Sequence, residues 1–281
     1  MKPSTLLLML AALAFGSVVL VMKHGVGESC SRCYLLPDLT TMFDFYQQSD
    51  TDYAAPPEAS LWDGWMPEQR IQSVNQRVKP KLIEALQARG VHLGAPVFLR
   101  VMKEERLLEL WLKVGAKWQL WRSYIIAAAS GQLGPKLREG DGQVPEGFYR
   151  INAAQLNPAS GYHLAMNLGY PNEYDRQRQR TGSYIMIHGR AVSVGCLAMT
   201  DLWMEEIYLL VSEAIAQGQA EVQVQIFPFR MTVARLNAAR DHVWHEFWSS
   251  ELWPAWCSFE TSREPPEMRV QEGRYVLVSG F

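Results

Sequence analysis

Cysteine is scarce in this chain, with four in 281 residues: Cys30, Cys33, Cys196 and Cys257. Cys30 and Cys33 make one C-x-x-C, and without a second pair the spacing does not build a zinc site. Nor does it sit in the βαβ context of a thioredoxin-type motif. In an oxidising compartment a local Cys30–Cys33 disulfide is the plainer reading. An excess of basic charge is also missing. Lys and Arg number 27 against 29 Asp and Glu, for a net charge of −2, which removes the electrostatic case for a nucleic-acid partner. Histidines number six. His242, His245 and Glu246 read H-x-x-H-E, which is not the H-E-x-x-H of a metalloprotease, so a surface helix face is expected there, with no metal and no cofactor. The chain has no internal repeat and no low-complexity tract.

What is present begins with an apolar run from Leu6 to Met22, preceded by Lys2 and closed by Lys23. Residues 1–23 are therefore expected to direct export, as a signal peptide or as an uncleaved inner-membrane anchor. Membrane contact is expected through this segment alone. Residues 24–94 read as an N-terminal extension, with Pro37, Pro56, Pro57 and Pro67 in its turn-rich part. A helix follows over Arg70–Arg89, striped by Ile71, Val74, Val78, Leu82, Ile83 and Leu86, with Pro80 as a break.

From Val97 the period becomes that of strands. Leu108, Leu110 and Leu112 alternate with Glu109, Trp111 and Lys113, which predicts a half-buried strand within a β-meander. Further strands are predicted at Phe148–Asn152, His163–Leu168, Ser183–His188 and Glu221–Phe227. A long loop, Gly131–Gly147, is rich in Gly, Pro and charge, a composition more often functional than idle. One helix is predicted after Thr200, with Thr200 as its cap, and another from Val233 to about Trp248. The fold class expected is mostly β with α additions, its sheet core within residues 95–228 and a C-terminal extension over 229–281. Trp111, Trp118, Trp121 and Trp203 are expected in the core.

The chemistry concentrates in one stretch, Tyr184 to Asp201. An apolar strand ends at His188, Gly189 opens a turn, and Gly195-Cys196 precedes a helix. An imidazole able to reach a thiol makes it a nucleophile. The N–H groups of Gly195 and Cys196 are candidates for an oxyanion hole, and Ser193 is a candidate to orient His188 or contact substrate. The competing reading is a buried thiol beside a histidine that merely satisfies a carbonyl. Arg176, Arg178 and Arg180 could bind carboxylates, or form a solvated basic loop. Lys136, in the Gly-rich loop, is a candidate substrate contact.

The stretch His188-Gly189 with Ser193-Val194-Gly195-Cys196 resembles the H-G and S-x-G-C signature of the L,D-transpeptidase catalytic domain, the YkuD domain. The resemblance continues through Gly131-Gln132-Leu133-Gly134-Pro135-Lys136, Pro145-Glu146-Gly147-Phe148-Tyr149, Pro171-Asn172-Glu173-Tyr174-Asp175 and Pro228-Phe229-Arg230-Met231-Thr232, and is to the YafK-like branch of that family. It implies a β-sandwich-like catalytic domain over 95–228, with Cys196 as nucleophile, His188 as base, and Ser193, Gly195 and Gly189 as positioning or oxyanion residues. It also implies an exported periplasmic enzyme acting on peptidoglycan stem peptides through a thioester at diaminopimelate.

Two positions depart from the family pattern. Val194 stands where many members place a histidine, and Ala198 where many place Arg or Asn, so Ala198 is expected to leave space in the site. In the YafK-like branch such departures accompany hydrolytic release of a peptidoglycan-linked outer-membrane lipoprotein. The alternatives are a 3→3 cross-linking or protein-attaching transpeptidase and, from another class, a non-catalytic peptidoglycan-binding module.

Overall fold

The computed structural model describes residues 65–278. The 1–23 segment, the Cys30–Cys33 pair and the rest of the 24–64 stretch lie outside the described residues. Among the described residues no helix is long and apolar enough to cross a membrane.

The apolar stripe after Pro67 folds as α1 (Pro67–Arg77) and α2 (Lys79–Ala88), which bury Val74, Leu82 and Leu86. Pro80 falls in the first turn of α2, where its missing N–H costs no helical bond, so the break comes at Val78. Then follow β1 (Val97–Met102), β2 (Leu107–Val114), β3 (Lys117–Ile125), β4 (Gly147–Ile151), β5 (Leu156–Asn157) and β6 (Ala165–Asn167). A short helix, α3 (Glu173–Gln177), leads to β7 (Met186–His188) and β8 (Leu197–Ala198), and α4 (Asp201–Ala216) connects to β9 (Val222–Phe227).

Two sheets result. One has the order β3-β2-β1-β9-β4 and the other β5-β6-β7-β8. Their inner faces share one core with α1, α2 and α4, joining Leu99 and Val224 of the first sheet to Met166 and Ile187 of the second and to Ile207 of α4. This is the sheet core with added helices that the periodicity predicted. The meander, however, covers only β1–β3, because β9 runs parallel beside β1 and β8 parallel beside β7. The β1–β9 pairing joins strands more than a hundred residues apart, which local alternation does not announce.

The C-terminal residues explain a second difference. The helix expected over Val233–Trp248 is broken into α5 (Val233–Ala238) and α6 (His245–Phe247), followed by a π-helical turn (Trp248–Leu252) and α7 (Trp253–Ser262). Between α5 and α6 the ring of His242 accepts the N–H of Trp244 and interrupts the helical ladder. Phe259 of α7 packs on Phe98 and Trp111, with ring centroids 5.1 and 4.9 Å apart. The outer face of β2 is therefore buried as well, and it is not the half-buried strand expected: Glu109 lies inside, held by Arg230 at 2.7 Å and Arg100 at 3.6 Å. A hairpin, β10 (Met268–Gln271) and β11 (Arg274–Leu277), completes the described chain. Trp111 and Trp121 are buried, and Trp203 packs against the core.

Candidate active site

The second sheet brings the candidate residues together. The register pairs Ile187 with Leu197 and His188 with Ala198 in a parallel ladder. Cys196 immediately precedes β8, so the ladder brings its segment alongside the strand that ends at His188. The N–H of Met186 donates to Cys196 Sγ at 3.4 Å, and the thiol lies 3.5 Å from the carbonyl of Tyr184, to which it donates.

His188 is buried, and its Nδ1 lies 2.6 Å from the carbonyl of Gly189. A carbonyl only accepts, so Nδ1 carries the proton and Nε2 keeps the lone pair a base needs. Burial lowers the His188 pKa, with the Gly189 carbonyl and the charge of Asp201 pulling the other way. Burial raises the Cys196 pKa, against the Met186 N–H and the positive charge of Lys136. Both shifts favour the neutral thiol and neutral imidazole near pH 7, not a standing thiolate–imidazolium pair.

Gly189 and Gly195 are glycines for different reasons. A Cβ at Gly189 would lie 2.5 Å from Asp201 Oδ1 and 2.9 Å from the carbonyl of Tyr162, so the turn after His188 closes only without a side chain. Gly195 has φ +86°, the left-handed region that L residues seldom enter. Its N–H donates to Ser130 Oγ at 2.6 Å, while the N–H of Cys196 donates to Ser193 Oγ at 2.9 Å. Both amides offered for the oxyanion hole are thus hydrogen-bonded internally. Ser193 braces the cysteine turn and bonds to Cys196 rather than to His188: its hydroxyl also donates to the carbonyl of Cys196.

Other expectations shift on structural grounds. Ala198 is fully buried, its backbone bonded to Ala127 and Ala128, so it leaves no open space in the site. Thr200 does not cap α4 with its hydroxyl; it has φ +67° and contributes its carbonyl to Met204, while Asp201 Oδ1 accepts the N–H of Arg190. Arg180 is buried and pairs with Asp175 at 2.8 Å. Arg178 lies 3.4 Å from Glu251. Lys136 is also buried, bonded to Asp141 at 2.6 Å and to the carbonyl of Arg138 at 2.9 Å, so it pins the Gly-rich loop from within. Cys257 is buried in α7, and burial pushes its pKa up to about 12.

Three contributors were not singled out from the sequence. Ser130 reaches Gly195 across 65 residues, Tyr162 lies tilted against His188 with ring centroids 4.8 Å apart, and Asp201 ties Arg190. Their only signals are long-range. A cleft of about 440 Å³ opens along β4 and β11, lined by Phe148, Arg150, Gln225, Met268 and Tyr275 among others. Neither His188 nor Cys196 lines it, so it is the chemistry of the side chains, not volume, that selects the candidate site.

Residues 96–224 match the model of the L,D-transpeptidase catalytic domain, YkuD. The protein named "Putative L,D-transpeptidase YafK" from Escherichia coli K12 is 46% identical over 185 residues, covering 66% of this chain and 75% of that protein, and its counterpart in strain O157:H7 matches equally. The chain belongs to the L,D-transpeptidase family, in its YafK-like branch. A distant likeness extends to the crystal structure of a mutant of the helical cell shape determining protein Pgp2 from Campylobacter jejuni, at 18% identity and a TM-score of 0.41, covering 62% of this chain and 71% of that one.

Proposed function

We propose that this chain is an envelope enzyme that performs thiol-dependent acyl transfer on peptidoglycan stem peptides, with Cys196 as nucleophile, His188 as base and water as principal acceptor. The supporting observation is the pairing of β7 with β8. It draws the segment that begins at Cys196 alongside the strand that ends in the Nδ1-protonated imidazole of His188.

The neutral pair dictates the order of events. As the carbonyl of the third stem-peptide residue approaches, Nε2 of His188 takes the thiol proton and Sγ bonds to the carbonyl carbon. The tetrahedral oxyanion collapses, the C–N bond breaks, and the imidazolium returns its proton to the leaving amine. The thioester is then attacked by water, whose proton passes to Nε2. The C–S bond breaks, and the proton regenerates the thiol. The oxyanion needs donors, and the internally bonded amides of Gly195 and Cys196 can serve once Ser130 and Ser193 yield them. In the YafK-like setting the leaving amine belongs to a peptidoglycan-linked lipoprotein.

Intact-mass measurement after exposure to a carbapenem tests the nucleophile. One adduct is expected, absent in Cys196→Ala and unaffected by Cys257→Ala. An adduct that survives Cys196→Ala refutes the assignment.

A further inference from the structure

Helix α1 precedes the segment matched by the family model, yet it reaches the candidate base by a short path of contacts. One guanidinium nitrogen of Arg70 donates to the carbonyls of Ser160 at 2.5 Å and His163 at 2.9 Å. Seven residues on, two turns along α1, Arg77 pairs with Glu205 at 2.6 Å. The same carboxylate oxygen meets His163 Nε2 at 2.8 Å. The turn from Ser160 to His163 is therefore held at both ends, through its carbonyls by Arg70 and through a buried side chain by Glu205. His163 has φ +68°, a conformation that persists in a non-glycine residue when its surroundings impose it.

Between the two pins sits Tyr162. The residue is 48% exposed, yet its ring lies against His188 at 4.8 Å between centroids and 41° between planes. Its carbonyl occupies the space a Cβ on Gly189 would need, and Gly189 is the residue whose own carbonyl holds His188 Nδ1. The Tyr162 backbone and ring thus bear on both features that fix the imidazole, its hydrogen bond and its ring orientation.

We propose that Arg70 is a positioning residue for His188, acting through Tyr162: the guanidinium fixes the 160–163 turn, and the turn fixes the imidazole. This rests on the reading of His188 as the base. A single hydrogen bond at Nδ1 leaves the ring free to tilt about that contact, and a second surface removes the freedom.

The test uses the full chain with isotope-labelled histidine. The Tyr162 ring current shifts the His188 Cε1–H resonance, which His188→Gln assigns and Tyr162→Leu displaces. Arg70→Gln should displace it in the same direction with Tyr162 still present, and should slow carbapenem acylation of Cys196 on the order of tenfold. Arg70→Lys, which keeps the charge on a shorter donor, should fall between wild type and Arg70→Gln in both measurements. If Arg70→Gln does not fold, the Arg70→Lys displacement alone decides. A His188 resonance unmoved in the folded variants overturns the proposal, and so does slower acylation with an unmoved resonance. Failure of the base reading is separate: acylation unchanged in His188→Ala would end that reading, whatever the resonance does.

Discussion

Ser193 and Cys196 hold each other twice across one turn: the cysteine N–H donates to the serine hydroxyl at 2.9 Å, and that hydroxyl donates to the cysteine carbonyl at 2.7 Å. The pair closes the loop that presents the thiol. Ser193→Ala should therefore slow carbapenem acylation about tenfold, which is ~1.4 kcal/mol, within the ~1–3 kcal/mol cost of orphaning such groups. Ser193→Thr keeps the hydroxyl and should keep most of the rate. A faster reaction in Ser193→Ala would show instead that the serine withholds the Cys196 amide from the oxyanion.

The opposite shifts of His188 and Cys196 set a pH dependence. Burial disfavours imidazolium, so His188 stays a competent base as pH falls below the ordinary imidazole value of about 6.5. The acid limb of the acylation rate should lie below that value, with activity lost as His188 protonates. Burial also disfavours thiolate, so direct alkylation of Cys196 in His188→Ala should rise with pH only above the ordinary thiol range. Rates of adduct formation from pH 4 to 10 give both limbs. An acid limb at or above 6.5 would contradict the buried-base geometry.

Lys136 and Asp141 should govern the Gly-rich loop. Burial opposes the charge on Asp141, but the Lys136 ammonium and the amides of Arg138, Leu137 and Gln143 prevail and hold its pKa at about 2. A carboxyl with a depressed folded-state pKa stabilises the fold above its unfolded value of about 3.9, and that contribution is lost as pH falls toward 2. Proteolysis within 131–147 should therefore increase across this window. At neutral pH, Asp141→Asn leaves the buried ammonium without its carboxylate and should cost about 3 kcal/mol in denaturant unfolding. Lys136→Met combined with Asp141→Asn should recover part of that loss; no recovery would mean the pair is not the clamp.

The legible parts of this molecule are those written in local pattern. The 97–114 alternation placed β1 and β2, the stripe from Ile71 to Leu86 placed α1 and α2, and the strand ending at His188 was visible as an apolar run. The hidden parts depend on packing that no local pattern announces. Glu109 looked solvent-facing because nothing near it announces that Phe259, Arg230 and Arg100 close over that face. Arg180 looked like a candidate substrate contact, yet it pairs five residues back with buried Asp175, whose other oxygen accepts from Tyr149. Ala198 looked like open space because side-chain size says nothing about what packs above it. The His188/Cys196 pair was marked by motif, whereas its supports, Ser130, Tyr162 and the Met186 amide, carry no motif.

The acceptor is the remaining prediction, and the site's polarity argues for it. An amine acceptor is mostly protonated at neutral pH and must lose a proton before attack, while water is a weak nucleophile that also needs a base. His188 is the one histidine in the loop and strand around Cys196, and as the proposed base it would serve both half-reactions. At position 194, where a second imidazole stands in many relatives, there is a valine, 83% exposed, which can neither deprotonate an ammonium nor bind one. Tyr184 and Val192 are exposed as well, and the stretch from Thr181 to Cys196 itself carries no carboxylate to collect a cationic amine. Water needs no such recognition. With lipoprotein-bearing sacculi, mass spectrometry should find free lipoprotein and tripeptide-ended muropeptides, and His188→Ala should abolish both. New diaminopimelate–diaminopimelate cross-links without released protein would make this chain a cross-linking transpeptidase, with the acceptor amine held by groups outside the loop that carries Val194.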